Sequence, residues 1–438
     1  MPEIFKGDRD DSCGICRLYS ILKPMKPEYP HFNRNFTFGV LNGTFFMAAL
    51  AFVAGSTVLP LFISKLTDSR ILIGIFSHIE WFGWLFPQLF AAVFLAHKRK
   101  VLYFYNGLSA IRLFLFGLSI ASIFAFKDNY ALILITFGIT FTIFSLTSGM
   151  AGVAFTEVVG KTIPLNKRGS FFGLRMFSGG LLAALGGLVV KKIISDYPFP
   201  YDFGYVCGIA WVLMLLGLAF FAVIREPEAK QGLEKTAPIN QFKTALKIFS
   251  NDGNFRKLVF SRAWVNTALM ATPFYVIFAI ENLNAPEWMA GIYLTSQMIG
   301  YLASNLLWGW LSNHVSNKMV IVLAGICRII PPVVAFGCCF FYIDPYIFSM
   351  VFFFIGMAES GIDMGYMTYL LEISPEKGRI LSIGLMHTLM APTIFFAGLG
   401  GWLSEIFSLK WLFVLVFITT TISLIISGRL KEPRLRSS

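Results

Sequence analysis

Charge is scarce in this sequence, and acid is scarcer than base. Of 438 residues only 14% are Asp, Glu, Lys or Arg, with 24 acids against 36 bases. Soluble domains of ordinary composition carry about a quarter of their residues as charge, so a soluble protein of this length is excluded. Histidine is rarer still, at five residues with no metal-ligand spacing among them; a catalytic constellation or a zinc site is not expected. Of the six cysteines, Cys13 and Cys16 make a lone CxxC with no second pair to complete a four-ligand site. Cys207, Cys327, Cys338 and Cys339 read as small apolar packing residues. No G-x-x-x-x-G-K-[ST] loop is present, so ATP hydrolysis is not expected. No cofactor is expected, and no cleavable signal peptide, since the first apolar run is too long for one.

What is abundant is apolar length. The chain is 56% hydrophobic, with a mean hydropathy of +0.69, and continuous runs of about 20 residues, enough to cross the roughly 30 Å hydrocarbon layer, recur throughout. They are unbroken rather than alternating, so helices are expected, which also satisfy their own backbone in lipid. The expectation is an all-α membrane protein with twelve spans at 36–64, 71–95, 101–125, 131–158, 169–192, 203–224, 258–281, 288–312, 318–342, 345–372, 378–403 and 409–428. With the N-terminus inside, cytoplasmic segments hold 26 of the Lys and Arg residues, outside loops 6 and the spans 4. That bias puts both termini in the cytoplasm, with an inner cell membrane as the location. The net charge of +12 is then topology and contact with anionic lipid rather than nucleic-acid binding. On this side of the membrane the glycosylation pattern Asn35-Phe-Thr37 has no role.

The chain is written twice. GIFSHIEWFGWLFPQLFAAVFLAH (Gly74–His97) lies over GIYLTSQMIGYLASNLLWGWLSNH (Gly291–His314) without a gap. Gly74, Ile75, Gly83, Leu85, Leu89 and His97 meet identical residues, Glu80 meets Gln297 and Gln88 meets Asn305. Arg112 in span three answers to Arg328 in span nine. Spans four and ten both end in an acid, Glu157 and Glu372, followed by the basic loops TIPLNKRG and ISPEKGR. Two pseudo-symmetric six-helix bundles are therefore expected, 36–224 and 258–428, joined by a cytoplasmic loop at 225–257 and flanked by tails at 1–35 and 429–438. QFKTALKIF within the joining loop fits a short amphipathic helix. Parallel repeats place a binding site between the halves near mid-membrane.

This organisation resembles the major facilitator superfamily (MFS). Its loop signature between spans two and three is kept in part by GWLSNHVSNK (Gly309, Leu311 and Lys318, with Asn313 where the family has an acid) and only at the basic end by AVFLAHKRK. The span-five antiporter motif is degenerate in FSGGLLAALGGLV and MAPTIFFAGLGG. PLFISKLTDSRILIG, NFRKLVFSR and ATPFYVIFAIENL look like a bacterial branch of unassigned substrate. The resemblance implies the twelve-helix MFS fold. It also implies a central path surrounded by spans one, four, seven and ten and flanked by five and eleven. A monomeric carrier is expected, with a small-molecule substrate, protons and membrane lipid as its partners.

The buried charges are the candidate machinery, because ionisable groups at mid-membrane are costly and usually paired or cavity-facing. Counting from Lys98, Glu80 and Arg112 differ in depth by about 6 Å. Either they staple spans two and three as an ion pair, or Glu80 faces the cavity and handles a proton. Gln297 cannot neutralise Arg328, but Glu359 and Asp363, four residues apart on one face of span ten, bracket its level. His387 in span eleven stands level with Asp363. Glu359, Asp363 and His387 are the leading proton-coupling candidates, and the competing reading is compensation of Arg328 alone. Arg175, Arg328, Asn266 and Gln297 are substrate-binding candidates. Arg175 has a second reading in which it snorkels to cytoplasmic water, and Arg262 and Glu281 read as interfacial. The function expected is secondary active transport of a small solute by alternating access, coupled to protons. The alternatives are a transport-dead sensor or scaffold and a lipid enzyme.

Overall fold

The computed structural model describes residues 31–85, 87, 91, 95, 98, 100–227, 249–250, 252–374 and 379–433. Cys13, Cys16, Gln88, His97, the ISPEKGR loop apart from its ends, most of AVFLAHKRK and nearly all of QFKTALKIF lie outside these residues. Among the described residues nine helices are long and apolar enough to cross a membrane. Six of these coincide with whole single spans: Leu102–Ala125 (span three), Tyr130–Thr162 (four), Tyr201–Ala222 (six), Asn317–Gly337 (nine), Pro345–Ile373 (ten) and Leu409–Gly428 (twelve). Span five is Leu165–Asp196. Spans seven and eleven count only when their broken pieces are joined.

Three expected spans, one, two and eight, do not meet this criterion among the described residues. Span one is split, Phe32–Ala51 and Val58–Leu66, at a turn through Gly55. A Cβ on Gly55 would stand 1.9 Å from the Ser77 carbonyl oxygen, so the turn is where spans one and two touch backbone to backbone. Span two is described as a helix only over Arg70–Leu85. Span eight, Met289–His314, is long enough, but Thr295, Ser296, Gln297, Ser304, Asn305 and Ser312 dilute its apolar content.

Proline marks the other breaks. Span seven runs Gly253–Asn266, loosens to a 3₁₀ turn at Thr267–Met270 and resumes at Phe274–Leu283 after Pro273. Span eleven does the same across Pro392: Arg379–Met390, Ala391–Phe395, Phe396–Phe407. In each case the missing proline N–H and its ring disrupt the local ladder. At 33 residues, span four is roughly 50 Å long. It therefore projects past the hydrocarbon layer at the end that carries Glu157 and Lys161.

The two sequence repeats pack equivalently. Gly74 and Gly291, aligned above, each press against the opposite half: a Cβ would meet the Ala397 carbonyl oxygen of span eleven at 2.1 Å in one case and the Gly187 carbonyl oxygen of span five at 2.3 Å in the other. Gly83 and Gly300 each press against the fourth helix of their own half, at Ser145 and Phe353. Small residues at these positions let helices approach closely in lipid.

One face of the bundle carries both described ends and the ends of the central segment. Arg34 donates to the Val223 carbonyl at 3.0 Å, Asn35 to that of Arg225 at 3.0 Å, and the Lys431 N–H to Asn254 at 3.0 Å. Here Glu226, whose side chain is 1% exposed, receives the Val101 and Leu102 N–H groups at 2.9 and 2.8 Å and the Lys161 ammonium at 2.9 Å. A carboxylate at the start of span three meets the orphan N–H groups and the positive end of the helix dipole. Glu226→Ala strands those donors and a buried ammonium, so it should cost about 2–3 kcal/mol. Thermal unfolding in detergent reads this directly; a midpoint equal to that of the parent protein would refute the role.

Candidate functional site: a polar chain where the halves meet

The halves touch on the opposite, far face. There Lys65 pairs with Glu287 and Arg70 with Glu281 at 3.3 Å. Arg70 also donates to the Ser404 carbonyl at 3.0 Å, and Glu405 accepts from Ser69 and from the Ile71 N–H at 3.3 and 3.2 Å. Lys191 lies 4.7 Å from the centre of the Trp288 ring. Just beneath this rim come the Gly187–Gly291 and Gly74–Ala397 seams and a hydrogen bond from Thr295 to the Ala184 carbonyl at 3.0 Å. Glu281 is at the rim as expected. Between described residues, every hydrogen bond and ion pair that joins the halves lies on this side or at mid-depth.

At mid-depth a chain of polar groups crosses the junction. Ser56, at the break in span one, donates to the Gln297 amide oxygen at 2.6 Å. The Gln297 amide nitrogen donates to Glu359 at 2.9 Å, and the other Glu359 oxygen stands 3.7 Å from the Arg328 guanidinium. Ser56, Gln297 and Arg328 are buried at 7, 3 and 5% exposure, whereas the Glu359 side chain retains 33%. Among the described residues, Nε and Nη1 of Arg328 have no hydrogen-bond partner, and Glu359 is the carboxylate that stands against its charge. The expected pairing of Arg328 with span ten is present in this form.

The expected single cluster is divided in two. One turn nearer the terminal face, Asp363 binds Arg262 at 2.9 Å, and His387 lies within electrostatic reach of both. Asp363 and His387 are exposed although both sit on spanning helices. Sequence reasoning had placed Arg262 at the membrane surface. It lies nine residues into its helix, about 14 Å along the axis from Gly253, stacked at 5.1 Å over Tyr366 and paired with Asp363.

Glu80 and Arg112 are not brought together. The Arg112 guanidinium donates to Ser109 of its own helix at 2.8 Å and lies against the Phe46 and Tyr105 rings, at 2% exposure. Glu80 is half-buried and, among the described residues, enters no ion pair. The depth reckoning fixes height but not azimuth: Glu80 stands on the side of span two that carries Gly83 toward span four, away from Arg112. Trp81, 55% exposed, shares instead the helical face of Gly74 and His78, the one turned to span eleven.

Arg175 neither snorkels nor opens onto a path. At 5% exposure it donates to the Gly39 carbonyl and to Asn42 at 3.0 Å and stacks on Phe155 at 4.6 Å. Asn266 donates to Thr393 at 2.9 Å, tying the broken middles of spans seven and eleven together. Two further residues escaped the sequence reading. Ser56 is signalled only by the Gly-Ser-Thr interruption of an apolar run. His78, 5% exposed and without a partner at Nδ1, lies within electrostatic reach of Arg328. It follows Gly74 by one turn, so it faces the second half.

Comparison with known proteins agrees with this architecture. Residues 267–437 match the model of the Major Facilitator Superfamily. No curated protein sequence matches the chain. Among solved structures, a D-xylose–proton symporter is similar at a TM-score of 0.68 and 14% identity, covering 92% of this chain and 99% of that one. A mutant of the nucleoside transporter NupG is similar at 0.67 and 13%, covering 92% and 100%. A POT family transporter in complex with 5-aminolevulinic acid is similar at 0.68 and 10%, covering 90% and 97%. At such identities the likeness concerns the fold alone, and this chain shares the overall fold of these proteins.

Proposed function

We propose that the chain is a secondary active carrier for a small polar solute, coupled to protons, in an inner cell membrane with the terminal face cytoplasmic. One observation carries this reading. Two acids, two arginines and a histidine stand at mid-membrane, next to a junction that the described residues hold together on the far face and at mid-depth. Such groups are expensive in hydrocarbon and are kept where they line a watered path. A junction closed on the far side of such a polar site is what one state of an alternating-access cycle requires. Glu359, 33% exposed, meets its arginine only at 3.7 Å, whereas Asp363, although 55% exposed, is held by its arginine at 2.9 Å. Glu359 is therefore the freer of the two to exchange a proton, with Asp363, Arg262 and His387 lining the entry to it. The positive-inside bias supplies the orientation.

The test is purified protein in liposomes containing a pH-sensitive dye, challenged with a panel of organic cations, zwitterions and anions. At least one class should move protons, and the solute should accumulate against its gradient when a pH difference is imposed. Solute flux that ignores the pH difference would remove the coupling, and no flux of any class would favour a sensor on this fold.

A further inference from the structure

We propose that Gln297 is a positioning residue that ties the charge on Glu359 to the seal between the halves, through Ser56; this rests on the carrier reading above. Among the described residues, Ser56–Gln297 is the one side-chain hydrogen bond that joins the halves at mid-depth rather than at the far rim. The amide has two ends, and both are used. Its N–H is held by the Glu359 carboxylate, so its oxygen is turned to Ser56 in the other half. Gly356 makes the register tight, because a Cβ there would stand 1.9 Å from the Gln297 backbone carbonyl oxygen. The amide is thus presented by a fixed backbone at 3% exposure. Ser56 is equally placed, at the break in span one beside the Gly55 contact with span two.

The groups around Glu359 leave its charge as the variable. Span eight presents Tyr301 as well as Gln297, span nine presents Arg328, and Asp363 follows on its own helix with Arg262 of span seven bound to it. His78 of span two and Tyr275 of span seven lie around Arg328. An ionised Glu359 gives the amide a charge-assisted bond and locks its orientation. A protonated Glu359 leaves a neutral bond and frees the amide to rotate. The difference between a charged and a neutral acceptor is worth about tenfold in an equilibrium. The sign follows: the far-face seal is tight where Glu359 is ionised and loosens as pH falls and the carboxyl takes up its proton. An empty, ionised carrier is then held closed to the far side, and passage requires that Glu359 be neutralised first.

The experiment needs no substrate. Nitroxide labels at Asp128→Cys and Tyr342→Cys, on far-face loops of the two halves and in a background without the native cysteines, report far-side opening in lipid nanodiscs by pulsed distance measurement. In the parent the long-distance population should grow as pH is lowered. Gln297→Met and Glu359→Gln should each raise it about tenfold at alkaline pH and flatten the pH profile. Ser56→Ala severs the same link from the other half and should give the same flat profile, which guards against a folding defect peculiar to span eight. A parent-like pH profile in Gln297→Met, or no pH response in the parent, overturns the proposal. Proton flux in liposomes judges the carrier reading separately, so flux with an unaltered Gln297→Met profile removes only the relay.

Discussion

Glu359→Gln is expected to abolish proton-driven accumulation while leaving downhill solute exchange in place. A pH difference of two units stores about 2.7 kcal/mol per proton, enough for an accumulation of about 100-fold. The variant should fall to the external concentration. The amide keeps the shape and a hydrogen bond to Gln297, so binding and rocking continue, but it cannot carry a proton across. It also leaves Arg328, 5% exposed, without its one carboxylate. Removing one member of a buried pair costs about 3–5 kcal/mol, and the 33% exposure of the Glu359 side chain brings the expected loss to about 2 kcal/mol. Uptake with and without the pH difference, alongside a melting curve, separates the two effects. Accumulation equal to that of the parent would mean that the proton travels elsewhere, with Asp363 and His387 next in line.

The second large effect belongs to the glycine seams. Gly291→Val puts a branched side chain where even a Cβ stands 2.3 Å from both the Gly187 carbonyl oxygen and the Lys191 backbone nitrogen. These are backbone atoms of a packed helix and cannot step aside as a side-chain tip can. Overpacking of this kind costs about 1–3 kcal/mol, and it applies only to the conformation in which spans five and eight touch. The equilibrium should therefore shift ten- to a hundredfold toward opening on the far face. Hydrogen exchange at 284–291 should speed up accordingly, while exchange in span twelve stays as in the parent. Unchanged exchange at 284–291 would show that the seam closes regardless and that the contact is incidental.

Much of this fold was legible because a bilayer simplifies the reading. Runs of apolar residues have one tolerable structure in lipid, and the gapless match of Gly74–His97 to Gly291–His314 carried the twofold organisation. The glycines in that match hold equivalent contacts in the structure, so they were informative for a packing reason. Depth was legible in part: counting residues placed Glu359 within reach of Arg328, whereas Asp363, one turn on, is taken by Arg262. Rotation about the helix axis was not. Glu80 and Arg112 stand near one level but face different neighbours, because a count along the chain fixes height and leaves azimuth to the packing of spans one, four and eleven. The breaks were foreseeable only in part. Pro273 and Pro392 announce two of them, whereas the turn at Gly55 follows from contact with Ser77 on another helix, which no single run of residues records.

The seal on the far face has an electrical consequence. Where Gly187 meets Gly291 and Gly74 meets Ala397, backbone lies on backbone. On the carrier reading, a water-filled path on the other side would sit near the potential of that compartment. Most of the transmembrane voltage then drops across this thin dielectric septum, at about 2.3 kcal/mol per elementary charge per 100 mV. On the carrier reading proposed above, a proton reaching Glu359 from the terminal side would cross little of that field, and the septum's change of place, more than the proton's own path, would be the electrogenic event.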